Sequence, residues 1–371
     1  MADSYVDRAI EANGTSGRTS TRVRRVFTFV GLAVYSLIFA ELFVRIFEPQ
    51  ALMPRYVTGT AWGVRGNIPN ARYWHHTPEV DVEYRINGQG MRADRDYSLA
   101  KPPGTRRVAL FGDSFFMGYE LDLKDTFAYK LEQRLNADGI ESEVLNFSVS
   151  GFGTGEMIKT YENYARRFDP DVVIFQWHRT DPDDNVRSGL YRVVDGKVEP
   201  AAATYLPSIG VQDKLMEWKL YRLIADNSHL YSLVRETTAQ SIKRLLVDVK
   251  SSDVEADGEE TSAEAPAGSA AVELSGDLLL YARDMVEADG RRFVVIEVPR
   301  PETRKTYVST AAVLPAAVRD QLEILSPLQA FNDAARPDLK LYYERGNRHL
   351  TPTAIDLLVG SVTPSIEEIL E

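Results

Sequence analysis

Ser114 stands in Gly112-Asp113-Ser114, directly behind the apolar run Arg107-Val108-Ala109-Leu110-Phe111, and His349 opens His349-Leu350-Thr351-Pro352 near the C-terminus. A serine hydroxyl and an imidazole brought together are the minimum for nucleophilic acyl transfer: the ring takes the serine proton and later returns it to the leaving alkoxide. Gly-Asp-Ser is also ordinary turn material, so the tripeptide alone specifies a bend and no chemistry. Position gives it weight, because ligands of an open parallel sheet bind outside the carboxyl ends of the strands. The same criterion gathers other polar residues behind apolar runs. They are Asn146 to Gly153; His178, Arg179, Thr180, Asp181 and Asn185; Arg300; and Glu344 to Pro352.

The elements that must carry these residues alternate along the chain. Apolar strands are expected at Arg107–Phe111, Ser142–Val149, Asp171–Trp177, Arg292–Pro299 and Leu339–Tyr343, with helical spacing at Thr126–Leu135, at Glu156–Phe168 and from Pro352 towards Leu370. Strands alternating with helices predict a three-layer α/β/α sandwich around a mainly parallel, five-stranded sheet. More than a hundred residues separate the third and fourth runs, far more than a crossover needs. Residues 186–247 read as a helical insertion, with helices near Gln212–Ile224 and Leu230–Val247. The acidic, Ala/Gly/Ser-rich stretch 248–275 has too little apolar surface to order itself and is expected to be a disordered loop.

Phe111-Gly-Asp-Ser114, the block Asn146 to Gly151 and His349-Leu-Thr-Pro352, taken in this order, resemble the SGNH/GDSL hydrolase superfamily, and within it bacterial members that carry an N-terminal membrane anchor. The resemblance runs over roughly residues 80 to 371, with further echoes in Tyr84-Arg-Ile-Asn-Gly-Gln-Gly-Met-Arg92 and Phe168-Asp-Pro-Asp-Val-Val173. It implies a flavodoxin-like SGNH fold, Ser114 as nucleophile and His349 as general base and then general acid. It also implies an oxyanion hole from the backbone N–H groups of Ser114 and Gly151 plus a side-chain donor of the third block, with Asp113 bracing the turn. Two positions depart from the family pattern. Its Asn-Asp dipeptide is here Thr180-Asp181, so Thr180 is the expected third donor, through a shorter arm. Its aspartate two or three residues before the histidine is replaced by Gly346 and Asn347, neither of them an acid. Glu344, His178 and Asn185 are candidates for the vacated roles, with Asp181 and Asn347 as further supporting residues.

Composition narrows the class. The chain has 371 residues, 44% of them hydrophobic, and a formal net charge of −11, which argues against nucleic acid as a partner. No cysteine is present, so there is neither disulfide nor thiolate metal site. His75-His76 has no partner ligands at zinc spacing, His229 lies on an apolar helix as a structural residue, and no cofactor is expected. Gly151-Phe-Gly153-Thr-Gly155 resembles a dinucleotide loop, but its third glycine would fall on Glu156, whose carboxylate opposes a pyrophosphate. No Walker lysine and no Gly-x-Ser-x-Gly elbow occurs.

The N-terminus supplies the compartment. Arg18, Arg22, Arg24 and Arg25 precede an uncharged run from Val26 to Ala40, and apolar character resumes after Glu41 as far as Phe47. Residues 26–47 read as a transmembrane signal anchor in contact with the lipid bilayer, 1–25 as a disordered cytoplasmic tail, 48–103 as a collar with a strand or hairpin near Val80–Ile86, and 104–371 as the working domain. The positive-inside rule places that domain outside a bacterial cytoplasmic membrane. The combined expectation is an extracytoplasmic serine esterase or O-acyltransferase acting on an acyl ester, that of an envelope or exported glycan. The alternative is a catalytically degenerate domain serving as a carbohydrate-binding or scaffold protein of the envelope, with assembly partners the sequence does not name.

Overall fold

The computed structural model describes residues 3–257, 269–303, 305–336, 338–345 and 348–371. Its centre is a sheet of five strands: β1 (Arg106–Phe111), β2 (Ser142–Asn146), β3 (Val172–Trp177), β4 (Arg292–Glu297) and β5 (Ile324–Leu325). They lie in the order β2-β1-β3-β4-β5, and every neighbouring pair is parallel. The chain reverses its direction of strand addition between β1 and β3, which opens a crevice at their carboxyl ends.

Alternation along the strands builds two cores. Val108 and Leu110 of β1, with Val172 and Ile174 of β3, face Phe127, Leu131, Ile355 and Leu358. Those side chains belong to α3 (Phe127–Ala137) and the C-terminal helix Pro352–Leu370. Ala109 and Phe111, with Val173 and Phe175, face the other way, onto Met157, Tyr161, Leu278 and Leu279. These come from α4 (Thr154–Asn163) and α9 (Ser269–Ala288). A strand with period-two side chains buried on both faces gives this three-layer sandwich.

Several elements differ from expectation. The fifth strand is Ile324–Leu325, too short to show a period, and Leu339–Tyr343 is outside the sheet. That segment instead clasps the chain around His349: Tyr343 N–H donates to His349 O at 2.9 Å and Thr351 N–H to Leu341 O at 3.0 Å. In the collar, the strand near Val80–Ile86 is Asp81–Arg85, paired antiparallel with Arg72–His76 through a turn at Thr77–Val80, while Asn87-Gly88 follows the hairpin. A second hairpin joins Val57–Gly59 to Arg65–Asn67.

The insertion holds a hairpin, Tyr191–Val194 with Lys197–Pro200, besides helices α5 (Asp181–Ser188), α6 (Ile209–Met216), α7 (Lys219–Asn227) and α8 (His229–Asp257). Residues 248–257 and 269–275, expected to be loop, are helical, and the rest of that stretch lies outside the described residues. Helix α1 runs from Asp3 to Phe47, so residues 3–25 of the stretch expected to be a disordered tail are helical and run on into the apolar segment. Its part Thr21–Phe47 is the one helix among the described residues long and apolar enough to cross a membrane, with an 18-residue stretch of mean hydropathy 2.0 and most of its apolar side chains exposed, Val44 excepted.

Candidate active site

Ser114 is the first residue of the short helix α2 (Ser114–Met117) at the carboxyl end of β1, and Asp113 caps that helix. The Asp113 carboxylate accepts Phe115 N–H at 2.8 Å and the Gln176 side-chain amide at 2.8 Å. The Gln176 carbonyl oxygen in turn accepts the N–H groups of Asp113 and Phe116. Buried from water, the Asp113 carboxyl titrates above its usual range. The lattice fixes the backbone that carries the hydroxyl.

His349 arrives from the opposite end of the chain. It is held by the clasp of residues 341–343 and followed by the Thr351 cap of the C-terminal helix. Its Nε2 stands 2.7 Å from Ser114 Oγ. The far nitrogen, Nδ1, stands 3.2 Å from Oε2 of Glu120, and the same oxygen accepts the His349 backbone N–H at 3.1 Å. A carboxylate at Nδ1 selects the Nδ1–H tautomer, which leaves the Nε2 lone pair facing the serine proton. The geometry is that of a nucleophile, a base and an orienting acid.

Glu120 corrects the expectation for the acid. Glu344 is more than half exposed and pairs with Lys340 at 3.3 Å, and Asn347 lies outside the described residues. Glu120 is fully buried six residues after Ser114 and adopts the left-handed conformation, φ 65°. Gly118, also left-handed at φ 76°, ends α2 and starts the turn, and a side chain there would strike Thr126. The collar pins the turn from beneath. The buried guanidinium of Arg92 donates to Gly118 O at 2.6 Å and to the carbonyls of Met117 and Leu121, while it covers the Tyr84 ring at 3.7 Å. The sequence carried one signal: Glu120 is the lone charge in Phe115-Phe-Met-Gly-Tyr-Glu-Leu121, and an acid in such company is buried and therefore paired.

On the other side of Ser114, Gly151 is left-handed at φ 75°. Its carbonyl is held by Arg65 Nη2 at 2.7 Å and Arg187 Nη2 at 3.2 Å. Asn146 fixes the start of the same loop by donating to Phe116 O at 2.8 Å and accepting Ser148 N–H at 3.0 Å. Among the described residues no hydrogen bond uses the N–H of Ser114 or Gly151, so both remain for a ligand.

The third block is partly engaged elsewhere. Thr180 Oγ1 lies 3.1 Å from His178 Nδ1, which is itself 4.0 Å from Asp113, and the His178 ring packs 4.5 Å from Phe115. Asp181 is fully buried, accepts His178 N–H at 2.7 Å, and is pushed well above the usual carboxylate range by burial. Asn185 lies away from the serine. It accepts Gly155 N–H at 3.0 Å and donates to Thr154 and Ser275, tying α4 to α9. Glu156 fills the N-terminus of α4, where a pyrophosphate would have to sit, by accepting Gly153 N–H at 3.0 Å. Among the described residues no group of three or more His, Asp or Glu side chains is arranged to hold a metal ion.

No protein-family model and no curated protein matches the sequence. Solved structures do align with it. The crystal structure of TesA covers 71% of this chain and 100% of its own, at a TM-score of 0.40 and 13% identity. The acetyl xylan esterase AlAXEase covers 70% and 99%, at 0.38 and 9%. A lipase/acylhydrolase from Enterococcus faecalis covers 72% and 97%, at 0.37 and 13%.

Proposed function

We propose that this chain is a membrane-anchored serine esterase or O-acyltransferase of the SGNH/GDSL type, with its working domain outside the cytoplasmic membrane. The observation that carries the reading is the unbroken chain of contacts from Ser114 Oγ to His349 Nε2 and from His349 Nδ1 to Glu120. The Ser114 oxygen attacks the acyl carbonyl and its proton passes to Nε2. Glu120 holds the resulting imidazolium through Nδ1–H. The N–H groups of Ser114 and Gly151 meet the oxyanion, with Thr180, relayed through His178, as the third donor. Collapse breaks the bond to the leaving alkoxide, which takes the proton from Nε2. Water or an acceptor hydroxyl, deprotonated by the same nitrogen, then discharges the acyl-enzyme. An ester of an envelope or exported glycan is the substrate class that the location favours.

Helix Thr21–Phe47 supports the anchor, and Arg22, Arg24 and Arg25 at its start support a cytoplasmic N-terminus. The binding-protein alternative rests on two departures, Thr180 in the third block and the missing acid before His349, and Glu120 at Nδ1 answers the second. The test uses the full chain in nanodiscs. It is expected to hydrolyse p-nitrophenyl acetate and to be labelled at Ser114 by a fluorophosphonate, while Ser114→Ala and His349→Ala each lose the turnover by a factor of about 10⁴ or more. Folded protein that shows neither turnover nor labelling overturns the reading.

A further inference from the structure

Helix α7 presents an apolar stripe that nothing among the described residues covers. Leu220, Leu223 and Ile224, spaced i, i+3 and i+4, are 69%, 62% and 43% exposed, and Trp218 immediately ahead is 69% exposed. The opposite face carries Ala225, which is buried, and Tyr221, whose hydroxyl meets that of Tyr231 of α8 at 2.5 Å. The stripe therefore points away from the body by construction and is not a frayed end. Exposed Lys219 borders it, with exposed Lys214 of α6 before it, exposed Arg222 further round the helix and exposed Glu217 beside Trp218. A short helix with Trp and Leu on one side and cations beside them has the pattern of an interfacial helix.

The depth of the junction between α7 and α8 relative to α1 is fixed by a cluster of polar contacts. Glu41 of α1 accepts the N–H groups of His229 and Leu230 at 3.0 and 2.9 Å and the Ser228 hydroxyl at 2.7 Å. Arg45 donates to Asn227 O at 2.8 Å and pairs with Glu41 at 3.0 Å. The C-terminus of α7 is thus level with residues 41–45. Counted from Arg25, a hydrocarbon core of ~30 Å takes ~20 residues at ~1.5 Å each, which ends at Arg45. Phe43, Ile46 and Phe47 around that level are themselves 53%, 67% and 69% exposed.

We infer that α7, with Trp218, lies in the outer surface of the bilayer, its apolar stripe in the acyl-chain boundary and Lys214, Lys219 and Arg222 at the phosphates of anionic lipids. The inference rests on the reading of α1 as a membrane span. It adds a second, lateral attachment that holds the catalytic domain at one height and one orientation above the membrane.

Because the chain has no cysteine, single Cys variants of the full-length protein report on one position each. Leu220→Cys, Leu223→Cys, Leu32→Cys in α1 and Glu287→Cys on the exposed side of α9 are labelled with an environment-sensitive dye and placed in nanodiscs containing phosphatidylglycerol. Spin-labelled lipid is expected to lower emission about twofold or more at 220, 223 and 32 and to leave 287 unchanged. Replacing Lys214, Lys219 and Arg222 by Glu is expected to weaken the quenching at 220 and 223 only. Quenching at 32 with none at 220 and 223 overturns the inference, whether those dyes then sit in water or are shielded by a second copy of the chain. Absence of quenching at 32 overturns the anchor first, and the inference with it.

Discussion

The ring of Tyr119 lies between two histidines, one from the collar and one from the loop before the C-terminal helix, and their surroundings differ in kind. The His75 ring approaches it edge-on at 4.6 Å and the His349 ring at 5.0 Å. Both imidazoles are buried, and the charge of Glu120 acts on His75 as well. Among the described residues neither ring nitrogen of His75 has a hydrogen-bond partner, and burial drives its pKa down to about 3. His349 has an acid at one nitrogen and a hydroxyl at the other. The same side chain in the same neighbourhood is a neutral packing element in one case and, in the proposed mechanism, the proton carrier in the other. What separates them is partners at both nitrogens, since burial is common to both.

The comparison can be broken most severely at Glu120. Glu120→Gln keeps shape and removes the charge that holds the His349 imidazolium, so kcat on p-nitrophenyl acetate should fall by about 10²–10⁴ with the far-ultraviolet circular dichroism unchanged. Glu344→Gln should leave it within about twofold, since an exposed ion pair contributes little. Equal losses in the two variants would return the acid to the histidine's own loop.

His75 tests the other half. Its folded-state pKa, about 3, lies below its ordinary value of 6.5, so its contribution to stability is fully present above pH 6.5 and is lost as pH falls towards 3. The loss amounts to at most about 5 kcal/mol. His75→Phe should flatten the decline of the melting temperature between pH 6.5 and 4 and spare kcat; an unchanged decline would show that His75 is not the buried group that matters.

Glu156 gives the opposite slope. Burial raises its pKa from 4.5 to about 7, so the folded protein loses stability as pH rises through that window, by about 3 kcal/mol at most. Glu156→Gln should therefore gain more in melting temperature at pH 8 than at pH 5, and a gain that does not vary with pH would refute the assignment. The smallest effect is expected at Thr180. Thr180→Val removes one hydroxyl of the third block, and about tenfold in kcat with KM little altered is the expected loss, below the usual cost of a direct oxyanion donor.

Legibility along the chain followed the range of the interactions involved. The four long strands are written as apolar runs, and Ser114 follows one of them; the strand expected before His349 is outside the sheet, and the two residues meet at 2.7 Å all the same. Ile324–Leu325 has no period to read and owes its place to pairing with Val295 and Ile296 of β4. Leu339–Tyr343 alternates like a strand, yet its backbone groups are used to grip His349. Glu120 was missed because the family pattern directs attention to the residues before the histidine, whereas the carboxylate reaches it through a left-handed turn specified by Gly118 and by Arg92 of the collar. Arg65, Arg92 and Arg187 could not be placed in advance either, because a guanidinium that braces a carbonyl far along the chain leaves no local pattern.

One consequence follows from where the acid sits. In the pattern that the resemblance implies, acid and base ride on one loop and move together. Here the acid rides with the nucleophile on residues 114–120, and His349 alone comes from the far end of the chain, held by contacts at both nitrogens and at its backbone N–H. Displacing the His349 side chain alone would therefore break its contacts to Ser114 and to Glu120 together. In the proposed mechanism the base is thus the one member of the three whose placement depends on the far end of the chain.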